Sequence, residues 1–182
     1  VVSYFYFSFS DLKKQEVDGM LASLIKQICY HRSHSTQLIQ RLRGYKIKGL
    51  RPDTETLEAI LIDSASELTN LYVIIDALDE CPLLNRQRKK LLKSLRRILA
   101  IAPTNLHVFL TSRKEPDIDG NIHSILSSPN RIEIDLLARK KILNKDINRY
   151  IHSQLSTEDY ASWPPSVKEE ARKLLIEKAD CM

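Results

Sequence analysis

Leu71-Tyr72-Val73-Ile74-Ile75-Asp76-Ala77-Leu78-Asp79-Glu80 is an apolar run, rich in β-branched residues, that ends in three acids within five positions. A run of that length and composition predicts a strand buried on both faces, as parallel strands are. Open α/β sheets bind their ligands at the carboxyl ends of the strands. The carboxylates of Asp76, Asp79 and Glu80 are therefore expected where a ligand would sit. Asp76 is placed to help hold a hydrated Mg²⁺, which takes one or two carboxylates together with phosphate oxygens. An acid after a strand can also merely open a turn or cap the next helix, and Pro82 would suit that. A cap needs one acid, however, not three.

Working outward, strands and helices alternate. Val1 to Phe9 interleaves aromatics and hydroxyls and predicts a strand with much of its surface buried. Ser10-Asp11 opens a helix whose apolar stripe is Val17, Met20, Leu21, Leu24, Ile25 and Ile28. Leu38 to Leu42 suggests a short helix, and Gly44 to Asp53 a loop. Thr54 to Leu68 is helical by the spacing of Leu57, Ile60, Leu61 and Ala65, and Asn85 to Ala102 by that of Leu91, Leu92, Leu95, Ile98 and Leu99. Leu106 to Leu110 is a further strand, Arg131 to Asp135 a short one near the border of the sheet, and Asn144 to Gln154 and Pro165 to Lys178 are helices. Trp163-Pro164-Pro165 starts the last of these, with proline in the first turn. Such alternation argues for a parallel α/β sheet with crossover connections.

The strand Leu106 to Leu110 also ends in polar groups, Thr111-Ser112-Arg113, on the edge expected to carry Asp76. An arginine fork matches phosphate oxygens, so Arg113 could reach a γ-phosphate and report its presence. Thr111 or Ser112 could bond an attacking water, and Glu80 or Asp79 could orient it. The plainer alternative pairs Arg113 with Glu115 or Asp117 at the surface.

With 182 residues the chain can bury one core of ordinary size. No stretch approaches the roughly 20 apolar residues of a membrane span, so no membrane partner is expected, and Val1 to Phe9 has no basic leader or cleavage site. Three cysteines, Cys29, Cys81 and Cys181, are odd in number and widely spaced, which favours a reducing, cytoplasmic setting over a disulfide framework. The net charge of +5 owes much to Arg86-Gln87-Arg88-Lys89-Lys90 with Lys93, Arg96 and Arg97. Such a run can meet phosphate or nucleic acid, but it more often forms the solvated face of a helix, and nucleic acid is not the expected partner. Cys29, His31 and His34 offer three clustered metal ligands where structural zinc needs four, and Cys29 fits the apolar side of its helix.

The order of these motifs resembles the NACHT domains of STAND-class P-loop NTPases, especially those of fungal receptor-like (NLR-like) multidomain proteins. The resemblance rests on the aromatic strand Tyr4 to Phe9, the helix Asp18 to Ile28, Val73 to Glu80 as a Walker B strand, Val108 to Pro116 with Thr111-Ser112-Arg113, and Asp146 to Ile151. It implies a three-layer α/β/α domain that binds ATP or GTP with Mg²⁺ and switches an oligomerising receptor bearing C-terminal repeats. By position, Asp76 resembles the Mg²⁺-associated acid, Asp79 and Glu80 the acidic pair after it, and Arg113 the sensor arginine. The expected organisation is a partial nucleotide-binding domain at 1–143, followed at 144–182 by the start of a helical domain.

One departure is large. The family cradles phosphates with G-x-x-x-x-G-K-[ST], and Gly19, Gly44, Gly49 and Gly120 all lie outside such a motif. The expectation is a fragment lacking the first strand and phosphate-binding loop, incompetent alone for tight nucleotide binding or hydrolysis. Open sheet edges and uncovered apolar faces also predict marginal stability or self-association. The alternative is a degenerate, non-catalytic protein-interaction module.

Overall fold

Three short strands carry the architecture of the computed structural model, which describes residues 1–31, 36–125, 132–136 and 138–179. They are β1 (Val2–Tyr6), β2 (Leu71–Asp76) and β3 (Leu106–Leu110), all parallel in the order β1-β2-β3. The register sets Tyr72 between Val2 and His107, and Ile74 between Tyr4 and Phe109. The expected α/β parallel sheet is thus present. Because the strands are parallel, their carboxyl ends share one edge, where Phe7, Ala77 and Thr111 follow.

The chain divides into two compact units, Val1–Pro129 and Asn130–Met182. In the first, α1 (Val17–His31), α3 (Thr54–Ser66) and α4 (Gln87–Ile101) turn their apolar stripes onto one sheet face. Phe5, Leu71, Val73 and Ile75 meet them there, in a core with Met20, Leu24, Ile60, Leu61, Leu91 and Leu95. At roughly 1.5–3 kcal/mol for each fully buried large apolar side chain, this cluster is the main stabilising term of the unit. Ser3, inside the same face, satisfies its hydroxyl on the Leu24 carbonyl at 3.0 Å.

β2 departs from the expectation of burial on both faces. Its residues alternate between buried and exposed, and Tyr4, Tyr72 and Phe109 are 59%, 46% and 59% exposed on the opposite face. Tyr72 stacks on His107 with ring centroids 4.7 Å apart. A continuous apolar run does not distinguish one covered face from two. Among the described residues of this unit, helices cover only one.

Other boundaries move for local reasons. β1 stops at Tyr6, and Asp11 caps a single tight turn (Leu12–Lys14) rather than the long helix, accepting from the Lys13 N–H at 3.0 Å. α2 (Thr36–Ile47) runs through Gly44, which the sequence placed in a loop; one helical glycine costs about 1 kcal/mol and can be tolerated. The turn comes at Gly49, where φ is +63°. Asp53 caps α3, accepting from the Thr56 N–H at 2.8 Å. A helix that the sequence reading missed, α5 (Pro116–Ile125), begins with proline in its first turn and buries only Ile118 fully.

In the second unit α6 (Lys140–Leu155) packs on α7 (Pro165–Ala179). Arg172 fastens them, donating to Asn148 Oδ1 at 2.9 Å and to Glu169 at 2.6 and 2.8 Å. Trp163, 39% exposed, stands edge-on to Tyr160 with ring centroids 5.1 Å apart. The strand expected at Arg131 to Asp135 is not formed over 132–135, and Ile132 is 88% exposed; Arg131 itself lies outside the described residues. Alternation alone makes no strand without a ladder partner. His34 and Cys181 also lie outside the described residues. Cys29 packs against the core, as its helix position predicted.

Candidate functional site at the carboxyl edge of the sheet

Backbone pairing continues past the ends of β2 and β3 and builds the site. Thr111 N–H donates to the Ile75 carbonyl at 3.1 Å, and Leu78 N–H donates to the Thr111 carbonyl at 3.0 Å. Between those two bonds the chain reverses at Ala77, whose φ of 57° and ψ of 54° lie in the left-handed region. An alanine there is strained by roughly 1–2 kcal/mol. The Thr111 hydroxyl secures the turn, accepting from Ala77 N–H at 3.0 Å and donating to Asp76 Oδ1. Asp76 stands exposed at the end of β2, with one carboxylate oxygen oriented by this hydroxyl.

The other two acids each reach a different loop. Asp79, with a side chain only 11% exposed, accepts from Arg113 N–H at 3.0 Å on Oδ1. The Ser112 hydroxyl approaches the same oxygen at 3.5 Å, and Arg113 Nε lies 3.6 Å from Oδ2. Arg113 therefore pairs with Asp79 rather than with Glu115 or Asp117, and its side chain remains 78% exposed. Glu80 Oε2 accepts from Phe9 N–H at 3.2 Å, drawing in the loop after β1. All six residues singled out from the sequence, Asp76, Asp79, Glu80, Thr111, Ser112 and Arg113, meet on this edge.

Arg88 belongs with them and was missed. It is buried in α4, its Nε donating to the Cys81 carbonyl at 2.9 Å and its Nη2 to the Asp79 carbonyl. Nη1 lies 3.5 Å from Asp117 Oδ1 on α5. One guanidinium thus holds the acidic turn (78–81) against two helices. The sequence signal was available: Arg88 precedes Leu91 and Leu95 by three and seven positions, on the inward stripe.

Cys81 closes the turn and is fully buried. Burial pushes its thiol up to about 12 from the ordinary 9.0, against the opposing charge of Arg88. At neutral pH the thiol is protonated in both folded and unfolded chains and adds nothing. Between those two values only the unfolded chain loses the proton, so stability falls as pH rises above about 9. Iodoacetamide at pH 8 is expected to leave Cys81 unmodified in the native chain and to label it in urea, as read by peptide mass spectrometry. Rapid native labelling would contradict its placement.

The oxygen donors suit a hard cation: an exposed carboxylate, with a hydroxyl fixing its rotamer, is of the type Mg²⁺ takes. A phosphate cradle is another matter. Among the described residues Gly19 lies in the first turn of α1, Gly44 within α2, Gly49 in the turn after it and Gly120 within α5, so none belongs to a strand-to-helix phosphate loop.

A family model described as Nephrocystin 3, N-terminal matches residues 1–113, which run from β1 to the arginine of Thr111-Ser112-Arg113. No curated protein and no solved structure matches the chain.

Proposed function

The chain belongs to the nephrocystin 3 N-terminal family, and from that membership and the edge geometry we propose that it forms the metal-and-sensor part of a NACHT-type nucleotide switch. The observation that carries the reading is the Thr111 hydroxyl on the Asp76 carboxylate at the end of two parallel strands, with Asp79 holding Arg113 beside it. Asp76 would hold Mg²⁺ through water, and Mg²⁺ would neutralise charge on the phosphates of ATP or GTP. Thr111 keeps that carboxylate in one orientation. Asp79 is committed to the Arg113 backbone, so its part is to present the exposed guanidinium toward a γ-phosphate. Glu80 gives only Oε2 to the Phe9 N–H, so its other oxygen is the one that would orient an attacking water.

These residues supply half of a site, so this chain alone is not expected to bind nucleotide tightly or to turn it over. In the parent protein, slow hydrolysis would act as a timer for assembly with other copies or with its further domains. A reducing, cytoplasmic setting is part of the proposal and is supported by the unpaired thiols of Cys29 and Cys81. No helix among the described residues is long and apolar enough to cross a membrane.

A second reading, a non-catalytic interaction module, is favoured by one observation: the uncovered aromatic face of Tyr4, Tyr72 and Phe109. The test is to read the native transcript upstream of the Val1 codon and assay the extended protein. The switch reading expects G-x-x-x-x-G-K-[ST] within about 30 preceding residues, one strand-loop-helix step. It also expects Mg²⁺-dependent hydrolysis that Asp76→Asn lowers by at least about tenfold. An extended protein without that motif, whose melting temperature ignores Mg²⁺-ATP, would leave the interaction module.

A further inference from the structure

The cationic flank of α4 is not used by the site at the sheet edge. Between it and the first turn of α3 lies a groove of about 470 Å³. Arg86, Lys89, Lys90, Lys93 and Arg97 line one wall, and Asp53, Thr54 and Glu55 the other. Arg86 stands just before α4, with φ of +58°, and Lys89, Lys90, Lys93 and Arg97 follow it along one flank over about 12 Å of helix. Two have internal partners: Lys90 meets Asp18 at 2.8 Å, and Arg97 meets Glu55 at 2.9 Å and Glu58. The side chains of Arg86, Lys89 and Lys93 make no hydrogen bond or ion pair among the described residues. The groove thus carries three cations with no direct partner, facing the carboxylates of Asp53, which takes the Thr56 N–H, and Glu55, which takes Arg97, so an entering anion meets a surplus of positive charge.

We propose that this groove binds a phosphate monoester carried on a small polyhydroxylated molecule such as a sugar. Arg86, Lys89 and Lys93 would surround the phosphate. The volume lies within the range of roughly 300–1,000 Å³ usual for small-ligand sites. The opposite wall fixes the class of ligand. Asp53 and Glu55 repel a second and third phosphate, which disfavours a nucleic acid backbone, whereas carboxylates accept hydrogen bonds from carrier hydroxyls. The site is separate from the Asp76 edge and does not rest on nucleotide binding there.

Calorimetric titration of the chain with glucose 6-phosphate, at fixed ionic strength, tests the proposal. Saturable binding is expected, with glucose alone giving none and inorganic phosphate binding more weakly. The variant Arg86→Gln/Lys89→Gln/Lys93→Gln should weaken it by about tenfold or more, since each contact is a charge-assisted hydrogen bond. These side chains are exposed, so its unfolding midpoint should match that of the parent chain. The control Lys13→Gln/Lys26→Gln/Lys48→Gln removes equal charge elsewhere on the surface and should bind as the parent does. Absence of saturable binding overturns the proposal, as does equal weakening in the control. Inorganic phosphate binding as tightly as the sugar phosphate overturns the part given to the carrier. Binding confined to duplex DNA, and falling steeply with salt, overturns it in favour of a nucleic acid surface.

Discussion

Replacing Arg97 by methionine is expected to lower the unfolding free energy by about 3 kcal/mol, the size of effect seen when a buried carboxylate loses its cation. Glu58 lies on the core side of α3 with its side chain 5% exposed. It accepts from Ser94 Oγ at 2.5 Å and from Arg97 Nη2 at 2.8 Å, and Arg97 Nε stands 2.7 Å from its second oxygen. The hydrogen bond to Glu58 is the main reason that Arg97 is held above its ordinary value, with Glu55 a lesser one. Glu55 is 75% exposed, and a bridge to it contributes little. In Arg97→Met the Glu58 carboxylate would keep only a hydroxyl while still being held out of water. The double variant Glu58→Leu/Arg97→Met removes both charges and should recover most of the loss, because apolar pairs of similar volume replace buried ion pairs at little cost. Urea midpoints of both variants decide the matter. A single variant within about 0.5 kcal/mol of the parent, as at ordinary surface positions, would sink the claim.

The elements that could be read from sequence are those with a single strong period. β2, β3, α1, α3 and α4 stand close to where apolar spacing put them, because each presents a full stripe or run to one core. α5 was missed although Ile118, Ile122 and Ile125 stand at helical spacing, because three apolar positions in ten residues make a short stripe and Gly120 interrupts it. The open face of the sheet was not legible either. Tyr72 reads as a strand-former whether or not a helix covers it, and only the three-dimensional arrangement shows it exposed.

The site divides in the same way. Its six side chains were legible because acids and hydroxyls at the ends of buried strands have few structural reasons to be there. Their partners were not, because those depend on register. Asp79 meets Arg113, and Glu80 meets Phe9, only because Ile75 lies beside Leu110 and Tyr6 beside Asp76. The basic run in α4 was the least legible feature. Read as one solvated face, it holds a buried clamp at Arg88, a core ion pair at Arg97, and a link from Lys90 to Asp18 that also takes the Thr54 hydroxyl at 2.7 Å.

Arg88→Met should cost about 3 kcal/mol, and its effect should be centred on the acidic turn. Two hydrogen bonds from a charged donor, to the carbonyls of Asp79 and Cys81, contribute roughly 1.5–3 kcal/mol each. The contact with Asp117, at 3.5 Å and with that carboxylate 43% exposed, adds less. Methionine fills much of the space beneath the turn, so the loss measures the hydrogen bonds more than the packing. Lysine keeps the charge but cannot serve two carbonyls and a carboxylate from one planar fork, so Arg88→Lys should recover only a minor part. Amide hydrogen exchange separates a local clamp from a general one. If Arg88 positions the acids, exchange at Leu78, Glu80, Cys81 and Arg113 should accelerate more than at Val73 or Leu61, whose protection tracks global unfolding. Equal acceleration everywhere would make Arg88 a core residue only, and the acidic turn would then owe its shape to the Thr111 and Asp79 bonds alone.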